Sequence, residues 1–205
     1  VWGEFVHTTA RPVDGVPDPH LHAHCFVFNT TWDEKESRWK AGQFAGLKRD
    51  APYFEAVFHS RLARKLEELG LPVERTKKGW ELAGVPKPAM DKFSRRTALI
   101  EEKAREKGIT NAEEKGGLGA KTRERKAKNL SFDELGREWK SRLSPDELAA
   151  LDAVKARLGQ KCIAEDDRLA TDAVARAVEH TFERSSVGPE RKLLAVALKR
   201  SYGAA

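Results

Sequence analysis

The sequence predicts an α+β fold in which an antiparallel sheet carries a histidine motif, helices pack on that sheet, and a helical segment follows at the C-terminal end. Three observations predict it. Apolar residues alternate with period two through the first third of the chain, and the period changes to three and four from Ala51. Two late segments each open with a serine followed three residues later by an acid, the capping-box pattern of a helix start.

Taken in order, VWGEFVHTT is one extended segment, RPVDGVPD is a Pro/Gly-rich connection and HLHAHCFVFNTTW is a second extended segment. The simplest arrangement joins the two as an antiparallel pair, with SRWKAGQF as a short third strand. In PYFEAVFHSRLARKLEELG the residues Phe54, Val57, Phe58, Leu62, Leu66 and Leu69 form one helical stripe, and Gly70 supplies the stop. VERTKKGWELAGV predicts a hairpin around Lys78 and Gly79, and KPAMDKFSRRTALIEEKAREKG a long helix ending at Gly108. Residues 110–128, Gly-rich and then basic with few apolar anchors, predict a mobile loop. After them SFDELGREWKSRL, SPDELAALDAVKARLG, TDAVARAVEHTFER and PERKLLAVALKRSYG are helical. The late helices suggest a subdomain beginning near 145–165.

Composition narrows the function classes. The chain of 205 residues has 38 Lys and Arg against 32 Asp and Glu, a net charge of +6, which is a mild pull toward a polyanion. Cys25 and Cys162 lie far apart, so neither a disulfide framework nor a C-x-x-C metal site is on offer, and a reduced cytoplasmic setting is expected. No window has the apolar length of a membrane segment, and the first residues lack the layout of a secretion signal.

The chemistry concentrates in DPHLHAHCFVFN. His20, His22 and His24 alternate, so neighbours on one strand face stand roughly 6.5–7 Å apart, close enough for two of the three to share one metal ion. His7, on the preceding segment, is the candidate third ligand. Both His7, His22, His24 and His7, His20, His22 satisfy the spacing. Three neutral imidazoles leave a divalent ion its charge and open positions, which makes a Lewis acid able to polarise a carbonyl, generate hydroxide or bind a phosphate oxygen. His59 and His180 fall within amphipathic helices and are read as structural or exposed.

A second candidate is the basic run Lys121, Arg123, Arg125, Lys126 and Lys128, which has the character of a phosphate-tracking segment with salt-sensitive affinity. Arg95 and Arg96 can add to it. Trp32 and Trp39 are candidate stacking platforms, although packing is the better reading for each.

These residues resemble a family. FVHTTARPVDGVPDPHLHAHCFVFN is similar to the metal-binding motif of conjugative relaxases of the TrwC/TraI (MobF) type within the HUH endonucleases. The resemblance continues through AVFHSRLARKLEELGLPVERTKKGWELAGVP, DKFSRRTALIEE and TRERKAKN, and so covers roughly residues 3–140. TDAVARAVEHTFERSSVGPERKLLAVAL resembles the passage into the helicase part of such proteins. The resemblance implies that His7, His22 and His24 are the metal ligands, that His20 is a variable neighbour, and that Asp18 and Arg11 support the site. It implies a relaxase domain over 1–145, its C-terminal part, with 146–205 leading toward a fused helicase.

The activity it implies is endonuclease and strand transferase: nicking and rejoining single-stranded DNA at a plasmid transfer origin by tyrosine attack, with a divalent ion (Mg, Mn or Zn) on the phosphate. The family's tyrosines lie upstream of the histidine motif. Of the two tyrosines here, Tyr53 and Tyr202, neither matches, so the chain is expected to bind metal and DNA without nicking. Two other readings compete. A three-histidine hydrolase needs a general base, for which Asp14 and Asp18 are the candidates. A non-catalytic DNA-binding module with a structural metal needs a fourth ligand such as Cys25, which strand alternation turns away from His24.

Overall fold

The computed structural model describes residues 2–77, 79–125, 130–160 and 167–202. Of the residues singled out above, Lys78, Lys126, Lys128 and Cys162 lie outside them. Among the described residues the elements are β1 Trp2–Thr9, β2 Pro19–Val27, β3 Thr31–Asp33, β4 Arg38–Lys40, α1 Ala45–Arg49, α2 Ala51–Glu68, β5 Val73–Arg75 and β6 Trp80–Leu82. Helices follow: α3 Lys87–Lys92, α4 Arg95–Glu106, α5 Ala112–Lys121, α6 Phe132–Ser141, α7 Pro145–Lys155, α8 Asp167–Phe182 and α9 Glu190–Arg200. No helix among them is long and apolar enough to cross a membrane. The fold is mixed, with small antiparallel sheets and many helices.

The chain forms two compact units, and each draws on two separate stretches of sequence. The first comprises residues 1–28 and 86–150, the second 29–85 and 151–205.

In the first unit β1 and β2 pair antiparallel, with Phe5 opposite His24 and His7 opposite His22. The register shifts between His7 and Thr9, where β2 carries an extra residue, a bulge that falls beside His20 and Leu21. The predicted helix over 87–108 is two helices. Phe93 and Ser94 interrupt it, and the Ser94 hydroxyl donates to the Met90 carbonyl at 2.9 Å, closing α3 before α4 begins. The predicted loop over 110–128 is instead helical over most of its first half. Asn111 caps α5 by accepting from the Glu113 N–H at 2.8 Å, Glu113 and Glu114 occupy the positive N-terminal turn, and Leu118 is buried. Gly119 lies where a Cβ would stand 3.1 Å from Ile100 Cδ1, so a bare backbone lets α5 approach α4.

Both expected capping boxes form. Ser131 and Glu134 exchange bonds at the start of α6, and Ser144 and Glu147 do so at the start of α7. Glu147 also accepts from Lys92 Nζ at 2.6 Å, and these partners hold its carboxyl below the ordinary range.

In the second unit Thr31–Asp33 and Arg38–Lys40 pair with each other in a hairpin of their own, so the expected third strand does not extend the β1–β2 sheet. Helix α2 ends as predicted: Gly70 has φ +89°, and a Cβ there would meet the Arg157 carbonyl oxygen at 2.0 Å. The packed face of α2 differs from the predicted stripe. Ala56 and Ala63 are buried, whereas Phe58 is 61% exposed and Leu69 also faces water. Helices α2 and α8 both pack on α9, and the buried positions of all three include alanines, Ala56, Ala63, Ala173, Ala177, Ala195 and Ala197. Small side chains allow close axes, and that requirement outweighs the larger apolar stripe.

Candidate metal centre

The pairing of β1 with β2 sets the site. Because His7 faces His22 across the ladder and His24 is two residues further along β2, all three imidazoles stand on one face of the pair. Their ring centroids are 5.4 Å apart for His7–His22, 5.1 Å for His7–His24 and 5.0 Å for His22–His24. His20 lies 4.5 Å from His22 and stacks on it. Partial burial, and then the charge of His22, hold the His20 imidazole below the usual histidine range.

These spacings match an ion held by three imidazoles. With metal–nitrogen bonds near 2.1 Å and tetrahedral angles, ring centroids stand about 5.2 Å apart. His22 Nδ1 donates to the His20 carbonyl at 2.9 Å, which leaves Nε2 as the lone-pair nitrogen and orients the ring, as metal-bound histidines require. Among the described residues no three His, Cys, Asp or Glu side chains are gathered in coordinating geometry, so the fit lies in the spacing and in the donor set rather than in the present ring orientations. Cys25 is opposite Glu4, out of alternation with His24.

The histidines line an open cleft of about 630 Å³, together with Phe5, Phe26, Arg11, Arg96 and Arg123. Arg11, expected to support the site, and Arg123, from the basic run, are therefore brought to the histidine face. Arg96 donates to the Gly119 carbonyl, and its Nη1 is buried without a partner among the described residues. Lys121 and Arg125 are exposed on either side of Arg123.

Asp18 has a different place. It is 3% exposed, and its Oδ1 accepts from Arg95 Nε at 2.9 Å and Arg142 Nη1 at 2.7 Å. Arg95 is thus occupied within the protein, where it also donates to the Val16 carbonyl at 2.6 Å. Trp139 Nε1 donates to the Pro17 carbonyl at 2.9 Å, and the Ala10 N–H donates to the Asp18 carbonyl at 2.9 Å. The sequence carried no signal for these contacts, which join residues up to 124 positions apart.

In the second unit Trp32 and Trp39 form an edge-to-face pair at 5.5 Å across the β3–β4 hairpin, both largely exposed. Tyr53 sits beside Arg191, whose guanidinium lies 5.8 Å from the ring centroid. Tyr202 is buried, and its hydroxyl has no partner among the described residues. Burial, with the charge of Glu55 adding to it, pushes its pKa up. His59 packs near Trp80 and Tyr202, and His180 is exposed.

The family model described as TrwC relaxase matches residues 1–145. Among solved structures, a metal-free complex of the conjugative relaxase TrwC with oriT DNA is 27% identical with a TM-score of 0.62, covering 73% of this chain and 52% of that one. A metal-bound complex of TrwC with oriT DNA is 25% identical with a TM-score of 0.60, covering 74% of this chain and 50% of that one. A copper-bound complex gives 25% identity, a TM-score of 0.60, and coverage of 75% and 50%. The chain thus spans about half the length of these structures. No curated protein matches.

Proposed function

Because the chain belongs to the TrwC relaxase family, we propose that it is part of a DNA relaxase that nicks and rejoins one strand at a plasmid transfer origin, to which it contributes the metal site and a DNA-contacting surface. One observation carries the reading: three imidazoles at metal-sharing distance and three arginines, Arg11, Arg96 and Arg123, line the same cleft. Such a cleft suits a phosphodiester.

His7, His22 and His24 would hold the divalent ion, which supplies Lewis acidity toward a phosphate oxygen when bound. The remaining work falls to the chain itself. His20, through its carbonyl, fixes the His22 ring, and the arginines neutralise and orient phosphates. Imidazole donors favour zinc or copper over magnesium, and one of the matched structures is copper-bound. The family resemblance points instead to magnesium or manganese, and the ion is read as divalent, Mg, Mn or Zn. Lys121 and Arg125 extend the phosphate-binding surface, and Lys126 and Lys128 complete the run in sequence.

On this reading residues 1–145 are relaxase and 146–205 lead toward a helicase part of the parent polypeptide. Neither tyrosine of the chain is offered as the nucleophile, since Tyr202 is buried with a raised pKa and Tyr53 lies at the start of α2 under Arg191. The competing hydrolase reading weakens because Asp18, one of its two candidate bases, is engaged by two arginines.

Calorimetric titration of zinc and manganese into chelator-stripped protein tests the site. One ion per chain is expected for the wild type and for His20→Ala, and none for His22→Ala. Equal losses in the two variants, or no binding at all, would refute the assignment.

A further inference from the structure

The basic run contains one acid, Glu124, between Arg123 and Arg125. In a segment that served only as a positive field, this charge would weaken binding to phosphate. The structure gives it another partner. Its Oε1 accepts from the Asp14 N–H and its Oε2 from the Gly15 N–H, both at 3.0 Å.

Those two amides are unusual donors. Asp14 and Gly15 both have positive φ, 55° and 76°, and Val13 and Val16 bridge on either side of them, which makes Asp-Gly the centre of a tight two-residue turn. Consecutive N–H groups in such a conformation point to one side and form an anion-binding concavity. Glu124 fills it, and the two amide bonds, with Arg95 and Arg96 adding to them, hold its carboxyl below the ordinary range. The acid therefore fastens the segment after α5 to the loop between β1 and β2. Next to it in sequence, Arg123 reaches the histidine cleft.

We propose that Glu124 is a positioning residue: its carboxylate, clamped by the Asp14 and Gly15 amides, holds Arg123 at the histidine face, where Arg123 binds a phosphate of single-stranded DNA. The inference rests on the reading of the cleft as a DNA site and adds to it the residue that sets its basic wall.

Electrostatics and positioning predict opposite signs for one substitution. Glu124→Gln raises the net charge of +6 by one, so a segment acting as a diffuse positive field would bind DNA more tightly. A lost clamp instead releases Arg123 and weakens binding. The measurement is fluorescence anisotropy with a labelled single-stranded oligonucleotide across a salt series, for wild type, Glu124→Gln, Arg123→Ala and the double variant. Amide hydrogen exchange at Asp14 and Gly15 confirms in parallel that the clamp has opened in a folded protein.

The expected result is a several-fold loss of affinity in Glu124→Gln, and a salt slope shallower by roughly 0.7, the share of one phosphate contact on a single strand. Arg123→Ala should show the same slope change, and the double variant should be no weaker than Arg123→Ala alone. Unchanged or tighter binding by Glu124→Gln, or additive losses in the double variant, would overturn the proposal while leaving the DNA reading intact. Failure of the wild type to bind would overturn the DNA reading itself, and the proposal with it.

Discussion

Asp18→Asn is the substitution whose cost the structure makes most explicit. One carboxylate oxygen holds two guanidiniums, Arg95 Nε at 2.9 Å and Arg142 Nη1 at 2.7 Å, and the Asp18 side chain is nearly sealed from water. Removing one member of a buried ion pair costs about 3–5 kcal/mol, because the partner's charge is left uncompensated. Here two discounts apply. Arg95 and Arg142 keep 27% and 15% side-chain exposure, and each retains a second partner, the Val16 carbonyl for Arg95 and Glu138 for Arg142. The net expectation is about 2–3 kcal/mol. For a chain of this length that corresponds to a fall in Tm of roughly 5–10 °C.

Urea and thermal denaturation followed by circular dichroism give the stability, and the same variant is then titrated with metal below its transition. Asp18 does not face the histidines as a ligand, so the stoichiometry of one ion per chain should survive. Coupling adds a further check: Arg142→Met should cost less in the Asp18→Asn background than in the wild type, since its main partner is already gone. A loss under 0.5 kcal/mol, or independent effects of the two substitutions, would refute the claim that this cluster anchors the loop.

Three further outcomes are expected. A labelled transfer-origin oligonucleotide incubated with this chain and a divalent metal should give no covalent adduct on a denaturing gel, because the proposed function assigns the nucleophile to neither Tyr53 nor Tyr202; an adduct would reverse that reading. Gly116→Ala and Gly117→Ala, where a Cβ meets nothing within 4 Å, should each stabilise helix α5 by roughly 1 kcal/mol in urea melts, whereas Gly119→Ala, pressed against Ile100 at 3.1 Å, should lose that gain. Asp50, whose carboxyl is drawn down to about 2 by Arg49 and then Arg191, contributes stability that is present above its unfolded pKa and lost as pH falls from about 4 to about 2; Asp50→Asn should flatten the acid-side melting curve in that window.

Much of this architecture is legible in the residues. Alternation predicts the β1–β2 pair and puts His20, His22 and His24 on one strand face, whereas the register that sets His7 opposite His22 cannot be read from a period of two, which a slip of two residues satisfies equally. Gly70 marks the end of α2 because only glycine fits its backbone there. What escaped the sequence has a common cause, the tertiary partner. Helix α5 looks like a loop when its three glycines and its charges are counted, yet Asn111 caps it and Gly119 is required by the neighbouring Ile100. The buried face of α2 departs from its hydrophobic pattern because a stripe of Phe and Leu outweighs two alanines in any such pattern, although the alanines are what a close approach of α9 selects. Arg95, which by composition belongs with a DNA-binding set, is committed to Asp18 across 77 residues.

The loop between β1 and β2 shows how a bare two-stranded ladder is tied to the helices around it. Residues 10–18 are rich in Pro, Gly and Asp, a composition that by itself would leave the connection mobile. Instead the loop is gripped at each step: Glu124 on the amides of Asp14 and Gly15, Arg95 on the Val16 carbonyl, Trp139 on the Pro17 carbonyl, and Arg95 with Arg142 on the Asp18 side chain. These groups come from α4, from α6 and its C-terminal end, and from the segment after α5. They satisfy backbone atoms that water would otherwise solvate, and they transmit the position of the helices to the ends of the strands.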